Sequence, residues 1–235
     1  MEINILTLFP QMFQGPLTES IVKRAQEKGI VKINLVNIRD SAEDKHKTVD
    51  DTPYGGGAGM VMKVDILDQA LNKIKDKKSK IKNKERTILL TPQGRRFDQQ
   101  KAKELSEYDK LIFICGHYEG FDERIREYLV DEEISIGNFV LSGGEIPAMA
   151  IVDSIVRLLP GALGKDESSK EESFSLKDEQ GNFLLEYPIY TKPSDYKGWK
   201  VPEILLSGNH AEIKKWRLEE AKRRTKTKTI TKKMS

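Results

Sequence analysis

The sequence predicts an α/β domain built on a parallel sheet, followed by a small helical region. Short, almost wholly apolar runs such as INILTLF (3–9), RTILLTP (86–92) and KLIFICG (110–116) alternate with stretches of helical periodicity. Strands read this way when helices cover both faces of a parallel sheet. A polar stretch poor in apolar residues, GALGKDESSKEESFSLKDEQGN (161–182), then separates this pattern from two further helical segments.

Taken in order, INILTLF is a buried strand that Pro10 ends. Residues 17–28 carry a helical pattern, and Gly29 is the stop. VKINLVNI (31–38) alternates as a strand, and RDSAEDKHKTVDDTPYGGGAGM (39–60) is a polar, glycine-dense loop. A loop of that length in a compact domain is usually functional or disordered. Helices are expected over 64–75, 98–107 and 121–130, with strands at 86–92, 110–116 and 134–136 between and after them. IGNFVLSGGEIPAM (136–149) leads into a helix over 145–159 with Ile151, Ile155, Leu158 and Leu159 on one side, closed by Pro160 and Gly161. PEILLS (202–207) and HAEIKKWRLEEAKRR (210–224) are the last helices, the second resting on Ile213, Trp216 and Leu218. The expected division is a domain over 1–160, a flexible linker over 161–182 and a helical domain over 183–235.

Composition narrows the function. The chain has 235 residues and a net charge of +3, but residues 211–235 hold ten Lys or Arg against three Glu. That +7 leaves residues 1–210 at −4. A mildly acidic body with a basic end suits an acidic polymer met at that end; a solvated helix face gives the same charge pattern. A second basic run, KDKKSKIKNKER (75–86), reads as a solvated connection. No apolar run approaches the ~18 residues of a membrane span. MEINILTLFP lacks the basic region and cleavage site of a signal peptide, and the single Cys115 fits a reducing cytoplasm. Cys115 lies in the strand LIFICG, where a cysteine acts as a small buried hydrophobe rather than a nucleophile.

Common sites are excluded. There is no G-x-G-x-x-G, and Gly164-Lys165 lacks the flanking residues of a P-loop. His46, His117 and His210 have no metal-ligand spacing. What remains is three glycine-bearing turns placed at strand ends: TPQG (91–94), CGHYEG (115–120) and SIGNFVLSGGE (135–145). Ligands of open α/β sheets bind outside the carboxyl ends of strands. Turns offering mainly backbone donors and acceptors suit a neutral planar base such as adenine.

The set LFPQMF (8–13), RD…DKHKTVDDTPYGGGAGM (39–60), TPQGR, CGHYEG, DEEISIGNFVLSGGE (131–145) and LLSGNHAEIKKWR (205–217) closely resembles the bacterial tRNA (guanine-N1)-methyltransferase family, the TrmD family, over nearly the whole chain. The resemblance implies a SPOUT-class α/β fold with a deep trefoil knot, an obligate homodimer with its active site between subunits, and S-adenosylmethionine held in the knot. It implies methylation of N-1 of the guanine immediately 3′ of the tRNA anticodon, and a cytoplasmic enzyme. Matching positions place Gly116 and the run Ile136, Gly137, Asn138, Phe139, Val140 and Leu141 around the cofactor, with Pro92, Gly94, Glu119, Gly143 and Gly144 as further lining.

The family's catalytic carboxylate falls on Glu172, in Glu172-Ser173-Phe174, where the family usually has Asp; Glu171 competes for the role. Arg157 matches the arginine for the guanine oxygen. His117 and Asn138 stand where Arg and Asp are common. The loop from Arg39 to Met60, with Asp40, Asp44, His46, Asp50, Asp51 and Tyr54, is expected to shape the dimer interface and guanine pocket. Lys192, Ser207, His210, Lys214, Lys215, Trp216 and Arg217 are expected to grip the anticodon arm. Magnesium assists the family's reaction, with no ligand nominated here. The competing readings are another knotted RNA methyltransferase and a non-catalytic RNA-binding relative.

Overall fold

The computed structural model describes residues 1–75, 84–163 and 172–234, with side chains of the last helix as far as Thr227. The basic run over 75–86 therefore lies mostly outside the described residues. The chain divides into two compact units, Met1–Gly164 and Lys165–Ser235.

The first unit is a five-stranded sheet in the order β2-β1-β6-β5-β7, every pairing parallel. The strands are β1 (Glu2–Thr7), β2 (Lys32–Asn37), β5 (Glu85–Arg96), β6 (Lys110–Cys115) and β7 (Glu132–Ser135). The helices are α1 (Ser20–Glu27), α2 (Val64–Ile74), α3 (Gln99–Leu105), α4 (Glu123–Tyr128) and α5 (Glu145–Val156). The alternation of the apolar runs resolves into two cores. Ile3, Ile5, Ile88, Leu90, Leu111 and Phe113 face Val22, Leu105, Ile151 and Ile155 from α1, α3 and α5. Leu6, Leu89, Ile112 and Ile114 face Leu67, Leu71 and Ile125 from α2 and α4. Successive residues of one strand thus feed opposite layers, which is why the runs Ile88–Leu90 and Leu111–Cys115 are apolar throughout.

Three local readings change. First, β5 does not end at Pro92 but continues to Arg96. Leu90 and Arg95 both stand opposite Ile134, so TPQG is a bulge inside the strand rather than a turn after it. Pairing of Arg95 and Arg96 with Ile134 and Ser135 carries the chain onward. Secondly, the polar loop over 39–60 is partly ordered: Ile38–Ser41 forms a 3₁₀ turn, and β3 (Asp50–Asp51) pairs antiparallel with β4 (Val61–Met62). Thirdly, α5 stops at Val156, and the bonds Leu158 N to Ile155 O and Leu159 N to Val156 O tighten the chain ahead of Pro160.

In the second unit, residues 172–186 fold on themselves. Leu184 O accepts from Phe174 N (2.7 Å), and Asp178 carboxylate oxygens accept from Gln180 N, Asn182 N and Asn182 Nδ2. The β8 (Asp195–Tyr196) and β9 (Trp199–Lys200) hairpin precedes α6 (Glu203–Leu206) and α7 (His210–Met234). The last helix runs ten residues past its expected end because no Gly or Pro interrupts it. Thr225 Oγ1 on α7 accepts from Leu185 N (2.8 Å), tying the helix to the 172–186 segment.

Candidate active site

A cavity of about 290 Å³ opens at the carboxyl ends of β6, of β7 and of the first part of β5, three neighbours in the sheet. Its wall brings together the three glycine-bearing segments: Thr91 to Gln93, Gly116 to Phe121, and Ile136 to Gly144 with the exception of Asn138. Of the cofactor positions, Pro92, Gly116, Glu119, Ile136, Gly137, Phe139, Val140, Leu141, Gly143 and Gly144 all stand on this wall. Gly94 and Asn138 do not. Gly94 is where β5 passes β7: a Cβ there would lie 2.5 Å from the Glu133 carbonyl carbon and the Ile134 nitrogen. Asn138 is exposed.

The SGGE turn has a structural reason. Gly144 caps α5 and donates its N–H to Gly116 O (3.0 Å). A Cβ on Gly144 would stand 2.6 Å from the Cys115 Cα, so only glycine lets α5 begin against the end of β6. The next residue, Glu145, is 1% exposed; its carboxylate accepts from Thr7 Oγ1 (2.6 Å) and pairs with His117 Nε2 (2.8 Å). The Phe9 ring meets His117 edge-on at 4.7 Å. His117, a position of uncertain role in the sequence, is thus a fixed part of the cavity wall, held from behind. Burial pushes the Cys115 thiol well above its ordinary pKa, and the adjacent Glu145 charge adds to it, so the thiol is inert.

The sequence reading missed Glu145, Glu123 and Arg126. Glu145 was overlooked beside its two glycines. Glu123 opens α4 three residues past CGHYEG and Arg126 follows three positions on, a helical spacing that puts the two on one face. Arg126 lines the cavity but is engaged by Glu133 (3.1 Å), Glu123 (3.6 Å) and the Thr91 hydroxyl (3.2 Å). The carboxylates of Glu119 and Glu123 share that wall, and no lysine among the described residues does. The cavity is therefore unsuited to a phosphate and suited to a neutral base or a cation. The glycine-dense loop is tied to it, since Met60 O accepts from Glu119 N and Gly120 O from Met62 N (3.0 Å each).

The two catalytic candidates fall in different units. Arg157 is half-buried at the carboxyl end of α5, in the first. Glu172 is half-buried in the second; its carbonyl accepts from Ser175 N (3.0 Å), and Ser173 Oγ accepts from Glu186 N (3.0 Å). Glu171 lies outside the described residues. Among the RNA-contact candidates, Lys192, His210, Lys214 and Arg217 line one open cavity of about 590 Å³, where the Arg217 guanidinium stacks on Tyr187 at 4.7 Å. Ser207 and Lys215 stand outside it; Ser207 Oγ donates to Ile204 O and accepts from Asn209 N. No group of metal-ligating side chains occurs among the described residues, and none of their helices is long and apolar enough to cross a membrane.

Comparison with known proteins bears on the whole chain. A family model described as tRNA (Guanine-1)-methyltransferase TrmD matches residues 1–231. A protein of Bacillus pumilus named tRNA (guanine-N(1)-)-methyltransferase is 58% identical over 97% of this chain and 90% of its own length. Proteins of that name from Bacillus subtilis (58% identical, 96% of this chain, 89% of its own) and Carboxydothermus hydrogenoformans (57%, 94% and 83%) match as closely. With its motifs in place along a parallel α/β sheet, the chain belongs to the tRNA (guanine-1)-methyltransferase TrmD family.

Proposed function

We propose that the chain methylates N-1 of the guanine immediately 3′ of the anticodon in tRNA, with S-adenosylmethionine as methyl donor. The carrying observation is the cavity at the strand ends. Its backbone-rich turns offer donors and acceptors for adenine, and Phe139, Val140 and Leu141 offer apolar contact. With Arg126 engaged by Glu133 and Glu123, the Glu119 carboxylate leaves a wall that favours a sulfonium cation. When bound there, the donor supplies an electrophilic methyl group. The rest falls to the protein. Guanine N-1 must lose a proton as it attacks, so Glu172 receives that proton as general base. Loss of the proton moves charge onto O6, which the Arg157 guanidinium stabilises. The guanine has to leave its stack first, which an anticodon loop allows more readily than a duplex.

The knot belongs to the same proposal, and the close passage of β5 over β7 at Gly94 supports it. So does a homodimer: Phe9, Met12 and Ile146 are exposed on the 3₁₀ turn Pro10–Phe13, its flank and the start of α5, where a second copy would bury them. The working place is the cytoplasm, where tRNA is. Lys192, His210, Lys214 and Arg217 would meet phosphates, fixing position without reading sequence. Magnesium has no proposed ligand.

The test is transfer of labelled methyl to two tRNA transcripts, one with guanine 3′ of the anticodon and one with adenine there. Label on the first alone, mapped to N-1, is expected. Bound S-adenosylmethionine with neither transcript labelled would overturn the activity and leave a cofactor-binding relative.

A further inference from the structure

Between Lys192 and Pro202 the second unit raises a hairpin whose chemistry the methyl-transfer site does not use. Tyr196 pairs with Trp199 and Asp195 with Lys200. The connection Lys197-Gly198 has positive φ at both positions, 56° and 85°. That two-residue turn matches the twist of the strands, but Lys197 adopts it at a steric cost that glycine would not meet. Asp195 Oδ1 accepts from Gly198 N (2.8 Å) inside the turn, and Ser194 O accepts from Val201 N (2.9 Å) at the base. Two aromatic rings are thereby held edge to face, centroids 5.8 Å apart at 61°. Both remain open: Trp199 is 73% exposed and Tyr196 51%. Tryptophan ordinarily buries most of its large apolar surface, so an indole displayed on a strained turn points to a ligand.

The surrounding charge says which kind. Lys197 Nζ lies 5.4 Å from the Tyr196 ring centre, Lys200 follows Trp199, and the one acid of the hairpin, Asp195, is occupied by the turn amide. Ser194 and Val201 at the base also line the cavity that holds Lys192, His210, Lys214 and Arg217. Cationic side chains therefore run from that cavity to the hairpin. Aromatic faces flanked by lysines match an unpaired nucleotide, whose base offers a π-face and whose phosphates offer charge. A duplex keeps its base faces covered.

We propose that the Tyr196–Trp199 hairpin is a stacking platform for an unpaired base of the bound tRNA, with Lys197 and Lys200 on the adjoining phosphates. This rests on the proposed tRNA substrate and adds to it a contact that the methylated guanine does not make.

The chain has two tryptophans, Trp199 and the half-buried Trp216, so emission reports the contact directly. The full-length protein is titrated with a tRNA transcript bearing guanine 3′ of the anticodon, followed by intrinsic fluorescence and by filter binding. Quenching of the wild type is expected, with most of that signal absent from Trp199→Phe, which keeps a stacking ring and binds nearly as well. Trp199→Ala is expected to bind about tenfold more weakly, the size of one lost base stack. Unaltered emission and undiminished binding by Trp199→Ala would overturn the platform while leaving the tRNA substrate standing. Equal quenching by a blunt RNA duplex would replace stacking with phosphate contact and overturn it too. Emission that follows protein concentration instead of RNA would assign the hairpin to contact between copies. Failure of the wild type to bind the transcript at all would remove the substrate reading and this one together.

Discussion

Glu145 carries no proposed chemical step, yet it joins β1, the turn after β6 and α5 behind the cavity through Thr7 and His117. Replacing it by alanine leaves the buried Thr7 hydroxyl without its acceptor and His117 without its partner, so Glu145→Ala should lose roughly 1–3 kcal/mol in denaturant unfolding, a cost set by the unpaired groups it leaves behind. S-adenosylmethionine affinity should fall with it as the His117 wall loosens; an unchanged affinity in calorimetry would make the pairing purely structural. Glu172 poses the opposite case, a side chain proposed for chemistry and expected to be dispensable for cofactor. Glu172→Gln should bind S-adenosylmethionine normally and transfer methyl at least ~100-fold more slowly, the usual size of a lost general base. A near-normal single-turnover rate would take Glu172 out of the mechanism. Neither role was legible in charge or spacing alone: Glu145 looks like an ordinary first-turn acid, and Glu172 like one charge in a polar stretch. Only the family resemblance singled out Glu172, and only folding singled out Glu145.

Among the elements, α4 shows how much rests on a cap. It is six residues long, too short to stand by propensity, and it carries Glu123 and Arg126 into the cavity wall. Asp122 starts it by accepting from Arg124 N (3.0 Å), while the Arg124 guanidinium grips the same carboxylate (2.7 Å). Asp122→Ala should cost about 1 kcal/mol of stability and weaken cofactor binding through the displaced wall. The Arg124 hydrogen bond, chiefly, holds the Asp122 carboxyl below the usual aspartate range. Because the folded pKa is the lower one, its contribution is complete at neutral pH and disappears as pH falls through that folded value. Acid unfolding below pH ~4 should therefore separate the wild type from Asp122→Ala less and less. The helices and strands themselves were readable, since their apolar period is set by the two cores. β5 reads as ending early because Pro92 and Gly94 have the composition of a turn, and what keeps the strand going is the β7 backbone, which no local pattern reveals.

At the scale of the molecule, the division after Gly164 separates the unit that carries the strand-end cavity from the one that carries the basic last helix. A chain ending at Gly164 should stay folded and keep its S-adenosylmethionine affinity while losing tRNA in filter binding. Retained tRNA affinity would move the RNA surface onto the first unit. The change from apolar alternation to basic helix is visible in the sequence, but the strand order is not, because β1 meets β6 across a separation of more than a hundred residues. Such order is decided by packing, after the local elements have formed. By position β7 is an edge strand, and edges ordinarily fray. Here Ile134 is opposed first by Leu90 and again by Arg95, and Ser135 O accepts from Phe97 N (2.8 Å). One chain holds the strand from two stretches, as a clasp closes over a cord. The amides of this border strand should accordingly exchange with deuterated solvent only in global unfolding, among the slowest in the protein. Early exchange there would mean that the clasp opens on its own, giving the cavity a way to admit its ligand without the rest of the sheet coming apart.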